Sequence, residues 1–114
     1  MDKKLLVAII DDELDIVNLF REALHNIKGV TIFTFTDATV ALEHFRINNS
    51  AYGIVITDLR MPDINGLDLV YEVKKLNPSV RTLLMTAFEV NDDLFQQYIK
   101  NRVINGFLQK PIKL

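Results

Sequence analysis

Asp11 and Asp12 stand side by side directly after the apolar run 5–10. Adjacent carboxylates repel each other, and aspartate is a poor strand former. A single Asp here would be an ordinary helix cap; a pair asks for another explanation. Three further polar positions also follow apolar runs: Asp58 after 53–57, Thr86 after 81–85, and Lys110 after 105–109. If those runs are neighbouring strands about 4.8 Å apart, their ends converge on one cleft. Three carboxylates together are unstable unless protonation or a cation relieves them. A hard divalent ion suits such an all-oxygen pocket, and Mg²⁺ uses one or two carboxylates together with phosphate oxygens and water. Lys110 adds an ammonium and Thr86 a hydroxyl. Metal, ammonium and hydroxyl around one carboxylate form a receptacle for a phosphoryl group, with Asp58 as the nucleophile.

The elements that must position these groups alternate between two periods. Residues 5–10 (LLVAII) form a continuous apolar run, the mark of a strand covered on both faces. Residues 13–27 turn helical, with Ile16, Val17, Phe20, Leu24 and Ile27 on one stripe, and Gly29 stops the helix. Residues 30–35 (VTIFTF) are β-branched and aromatic, hence a strand. Asp37 caps a helix carrying Val40, Ala41 and Phe45 on one side. A short strand at 53–57 precedes DLRMPDING, where Met61, Pro62 and Gly66 read as turn chemistry. Leu69, Val70, Val73 and Leu76 mark a helix over 67–76, followed by Pro78 and a strand at 81–85. Asn91, Asp92 and Asp93 suit the first turn of a helix running to Lys100, and 105–109 is a fifth strand. Such βα alternation with short connections predicts an α/β fold, a doubly wound parallel sheet with helices on both faces. Sites on such sheets form at the carboxyl ends of the strands.

Bulk properties agree with one small domain. The chain has 114 residues, 49% hydrophobic and 25% charged, with net charge −2. That charge offers no global field for nucleic acid or an anionic membrane. Cysteine is absent, so no disulfide or thiolate metal site is available, which fits a reducing, cytoplasmic setting. No stretch approaches the roughly 20 apolar residues a bilayer requires. The opening MDKKLLVAII reads as a strand, because its apolar run is short and the acidic pair follows at once.

The segments IIDDE, ITDLRMPDINGL, LLMTA and GFLQKP closely resemble the signature segments of the receiver domain of two-component response regulators. The resemblance spans all five predicted strands in order. It implies one receiver domain over 1–114, flavodoxin-like, with strand order 2-1-3-4-5. It implies that Asp58 accepts a phosphoryl group from a histidine kinase or phosphotransfer protein, in a phosphorelay that requires Mg²⁺. Asp12 would ligate the metal directly, Asp11 through water, and the backbone carbonyl of Arg60 would add a ligand. Thr86 and Lys110 would bind phosphoryl oxygens. Phe107 takes the position of the aromatic switch residue, and Pro111 would follow a cis bond. The surface of the fourth helix and fifth strand is where binding of an output partner, or homodimerisation, is expected to change. No direct contact with nucleic acid or membrane is expected of the domain. The resemblance further implies a switch with at most slow self-catalysed phosphorylation and dephosphorylation, not a turnover enzyme.

Other readings stand beside these. Asp12 also suits a plain helix N-cap, Thr86 a β-branched strand position, Lys110 a solvated loop. Phe107 reads equally as a core aromatic, and the two roles are compatible. His25 and His44 lack partners at ligand spacing and read as surface or packing residues. Two further function classes remain: a receiver retained only for docking, and a phosphatase working through an aspartyl phosphate. Phosphatases that resemble haloacid dehalogenases carry a second Asp two residues after the nucleophile as acid/base, and Arg60 stands there. Two features depart from the family pattern. The chain stops four residues after Lys110, where receivers carry a fifth helix, so most of that helix is expected to be missing. Residues 98–107 (YIKNRVINGF) have Lys100, Asn101 and Arg102 where receivers often place a small turn.

Overall fold

The computed structural model describes residues 5–87, 93–101 and 103–113, of 94 and 95 the backbone only. Its elements run β1 (Leu5–Ile10), α1 (Leu14–Leu24), β2 (Val30–Phe35), α2 (Ala38–Asn48), β3 (Tyr52–Asp58), α3 (Gly66–Leu76), β4 (Arg81–Thr86), α4 (Asp93–Lys100) and β5 (Gly106–Gln109). The five strands pair in parallel in the order β2-β1-β3-β4-β5. This is the doubly wound, flavodoxin-like order expected above, with β3 in the middle and the strand order reversing between β1 and β3.

Side-chain alternation divides the core into two layers. Ala8, Ile10 and Val55 meet Ala41, Leu42 and Phe45 of α2 and Leu69 and Val73 of α3. The intervening residues Val7, Ile9 and Ile56 face the other way, onto Val17 and Phe20 of α1, with Met85. Val70 of α3 and Leu84 of β4 pack with Ile104, and Tyr98 of α4 and Phe107 of β5 lie against that group. Continuous apolar strands follow from this arrangement, since both faces of the sheet are covered.

Several boundaries differ from the sequence reading. Helix α1 ends at Leu24 rather than Ile27: the Ile27 N–H bonds the Leu24 carbonyl in a tighter turn (3.2 Å), and Gly29 follows at φ +80°. Ile27 is accordingly 48% exposed and leaves the stripe. Val40 is 55% exposed, so it does not share the buried side of α2. That side consists of Ala38, Ala41, Leu42 and Phe45, a spacing of three, four and seven residues from the first. Asp37 caps α2 as expected, accepting the Thr39 N–H at 2.8 Å. Asp12 does not cap α1, where Glu13 holds the N-cap position. Strand β3 extends one residue at each end, to Tyr52 and Asp58, and β4 includes Thr86. Strand β5 begins at Gly106, one residue later than expected. Asn91, Asp92 and Arg102 lie outside the described residues.

The connection from α4 to β5 is built around a residue the sequence reading passed over. The Asn105 side-chain oxygen accepts the Thr82 N–H and the Lys74 ammonium, both at 2.9 Å. The Asn105 N–H returns to the Thr82 carbonyl, and the Thr82 hydroxyl donates to the Val103 carbonyl. A side-chain amide thus performs the joining that a small-residue turn would leave to backbone alone. His44 is a packing residue: its Nδ1 lies 2.7 Å from the Tyr52 hydroxyl, and its ring sits beside Phe33 and Phe35.

Candidate functional site

The chain leaves β1 at Asp11, and this sets the two neighbouring aspartates to different tasks. Asp11 is fully buried, whereas Asp12 is exposed. Asp11 Oδ1 accepts the Glu13 N–H at 2.9 Å, closing the turn into α1. Its buried Oδ2 lies 2.9 Å from Lys110 Nζ and pairs with that ammonium. A buried carboxylate is costly unless a cation lies against it, and the Lys110 ammonium fills that place.

Asp58 ends β3 next to β1 and is 8% exposed. Its Oδ1 lies 3.2 Å from Lys110 Nζ. Asp11, Asp12 and Asp58 each present a carboxylate oxygen within 4.8 Å of the others. The cluster fits a hard divalent ion: its three carboxylates, one of them fully buried, offer oxygen donors only. Glu13, which the sequence reading did not single out, places Oε1 3.7 Å from the same ammonium. Its position as the third acidic residue of the DDE run was the signal available for it.

Thr86 ends β4 and is buried, and the Lys110 N–H donates to its carbonyl at 2.8 Å. That bond carries the β4–β5 ladder one step past β5 and delivers Lys110 to the pocket. The Lys110–Pro111 peptide is cis. A cavity of about 290 Å³ opens here, lined by Asp12, Glu13, Asp58, Arg60, Thr86 and Lys110 among others. Phe107 stands apart from these groups, half-buried on the face shared by α3 and α4.

Burial pushes the Asp58 carboxyl above its ordinary range, and the negative charge of Asp11 adds to the effect; Lys110 opposes both. Burial alone would lower Lys110, but the carboxylates of Asp11 and Asp58 outweigh it and hold the ammonium above its ordinary range. The site therefore has a firmly protonated lysine over a carboxylate that is reluctant to ionise.

Gly66 is the second residue whose role only the structure reveals. It is the first residue of α3, and its N–H donates to the Leu59 carbonyl at 2.8 Å. A Cβ built there would fall 2.0 Å from the Asp58 carbonyl oxygen. Its lack of a side chain, rather than turn geometry, lets α3 approach the backbone of Asp58.

A flavodoxin-like parallel sheet with a lysine-bridged acidic pocket at its carboxyl edge is the arrangement of a receiver-type phosphoacceptor switch. The chain belongs to the response regulator receiver domain family, whose model matches residues 7–114. It is 35% identical over 81 residues to the C4-dicarboxylate transport transcriptional regulatory protein DctD of Rhizobium meliloti (strain 1021), covering 71% of this chain. It spans 17% of DctD's length, and 23% and 37% of two other curated relatives. Among solved structures, a response regulator receiver domain protein from Clostridium thermocellum superposes with TM-score 0.81 at 28% identity, covering 96% of this chain and 84% of that one. The isolated receiver domain of RcsB from Salmonella enterica serovar Typhimurium, in the presence of phosphomimetic BeF3⁻, gives TM-score 0.74 at 26% identity, with 96% and 80% covered. Among the described residues no helix is long and apolar enough to cross a membrane.

Proposed function

We propose that the domain is a cytoplasmic phosphorylation-controlled switch, with Asp58 accepting a phosphoryl group from a histidine kinase or phosphotransfer protein. One observation carries this reading: Lys110 Nζ stands 3.2 Å from Asp58 and 2.9 Å from Asp11, and Asp12 lines the same cavity as Asp58 and Lys110. An Asp58 carboxylate oxygen forms the new O–P bond as the P–N bond to the donor imidazole breaks, and the imidazole leaves with the electron pair. Asp11, Asp12, Asp58 and the backbone carbonyl of Arg60 are the groups to hold Mg²⁺. Bound there, the ion supplies positive charge against the phosphoryl oxygens. Lys110 moves from carboxylate to phosphoryl oxygen, and the Thr86 hydroxyl bonds another. The structure of the related RcsB receiver in the presence of phosphomimetic BeF3⁻ supports this chemistry.

The phosphoryl group adds roughly −1.5 to −2 charge. Drawing Thr86 toward it opens space behind β4, which Phe107 fills by turning inward. Phe107 already lies against Leu84 and Ile104, so the change reaches α4 and β5, where an output partner or a second copy of the domain binds. Self-catalysed phosphorylation and hydrolysis are slow.

Incubation with acetyl phosphate and Mg²⁺, read by intact mass, tests the reading. The parent gains one phosphoryl mass and Asp58→Asn gains none. Thr86→Ala keeps the mass gain but blunts the spectral change at α4. A Mg²⁺-dependent gain at one site in Asp58→Asn would remove Asp58 as the nucleophile.

A further inference from the structure

Thr57 is a fully buried polar residue that the phosphoacceptor chemistry does not use. It precedes Asp58 in β3 and is surrounded in the sheet by Val55, Ile56, Leu84 and Met85, all buried. Alternation along the strand turns it to the same face as Val55, toward α2 and α3. Valine would fill that position with the same shape and no polar atom. A hydroxyl there must therefore be satisfied locally. It donates to the Asp58 backbone carbonyl at 3.0 Å and stands 3.9 Å from the Met61 thioether.

The recipient is the carbonyl that Gly66 leaves room for on its other side. The following amide, Leu59 N–H, is held by the Met85 carbonyl at 3.0 Å. The peptide that carries Asp58 out of the strand is thus pinned by a hydroxyl, a glycine and a ladder bond. With its proton given to that carbonyl, the hydroxyl oxygen still stands 3.9 Å from the Met61 sulfur, so the side chain abuts the loop bearing the Arg60 carbonyl.

We infer that Thr57 is a positioning residue: its hydroxyl sets the backbone pose from which the Asp58 carboxylate and the Arg60 carbonyl converge on one cation. This rests on the phosphoacceptor reading above. Thr57 touches neither metal nor phosphoryl group, and it acts through the peptide it holds. Removing an outer hydrogen bond of this kind lowers metal affinity by about tenfold or more.

Two substitutions separate position from packing. Thr57→Val keeps the shape and removes the hydroxyl. Thr57→Ser keeps the hydroxyl and removes a buried methyl. Each is titrated with Mg²⁺ alone, followed by the amide resonances of residues 58–61, then with BeF3⁻ in Mg²⁺, and melted without metal. Thr57→Val should melt like the parent but bind Mg²⁺ about tenfold more weakly. Thr57→Ser should melt lower yet bind Mg²⁺ like the parent. Parent-like binding by Thr57→Val overturns the inference and leaves the phosphoacceptor reading intact. Weakened binding by both variants in step with their lost stability also overturns it, because the role would then be packing alone. A parent that binds neither Mg²⁺ nor BeF3⁻ overturns the phosphoacceptor reading, and this inference with it.

Discussion

Replacing Gly66 with alanine should destabilise the domain and displace its central carboxylate together. The new Cβ would lie 2.0 Å from the Asp58 carbonyl oxygen, 2.9 Å from its carbon and 3.0 Å from the Leu59 Cα. All three are backbone atoms, so no flexible side chain can yield. Either α3 or the Asp58–Leu59 peptide must retreat by at least about 1 Å to reach a tolerable separation. Overpacking of this kind costs about 1–3 kcal/mol. The Gly66 N–H bond to the Leu59 carbonyl at 2.8 Å is lost or lengthened in the process, adding about 1 kcal/mol. Alanine's helix propensity returns at most about 1 kcal/mol, and less at the first residue of a helix. The net is about 1–4 kcal/mol, on the order of 10 °C in Tm for a domain of this size. Urea denaturation with an unchanged m-value measures it. The same displacement should weaken Mg²⁺ binding. Gly29→Ala is the control: its φ of +80° makes alanine strained, but nothing lies within 4 Å, so it should lose stability without altering Mg²⁺ affinity. Stability of Gly66→Ala within about 0.5 kcal/mol of the parent would refute the close-approach argument.

Asp58→Asn should stabilise the metal-free domain at neutral pH. A carboxyl raised above its unfolded value contributes stability below the ordinary carboxylate range and loses it as pH rises through the folded value, so the gain should vanish in acid melts. Lys110→Met leaves Asp11 and Asp58 without their shared cation and should cost about 3 kcal/mol in metal-free denaturation, recovered in part by millimolar Mg²⁺. Asp12→Ala, at an exposed position, should leave the melting temperature nearly unchanged and abolish Mg²⁺ binding at millimolar concentration; an unchanged titration would move the ion elsewhere. Asp37→Ala should lower the midpoint of equilibrium denaturation, because it removes the side-chain oxygen that takes the Thr39 N–H at the start of α2.

The sequence by itself determined what is local. Apolar runs such as LLVAII must be covered on both faces, and Asp37 before a helical period must cap it, because period and capping are properties of adjacent residues. The residues at strand ends were equally legible, since each apolar run stops at an identifiable polar group. The order 2-1-3-4-5 came from resemblance to a family, not from the pattern, which specifies parallel pairing but no neighbours. Tertiary structure decided the rest. Asp11 and Asp12 are alike in one dimension, yet one is buried against Lys110 and the other faces solvent, because the chain leaves the sheet between them. Val40 and Ile27 fit a helical stripe on paper and are exposed, because which arc of a helix is covered depends on what packs there. Gly66 read as a turn residue until α3 was brought against the Asp58 carbonyl, and Asn105 read as a strand residue until Thr82 and Lys74 were brought to its side chain. In each case the deciding partner is remote in sequence or on another element, and its distance is set by how whole elements pack.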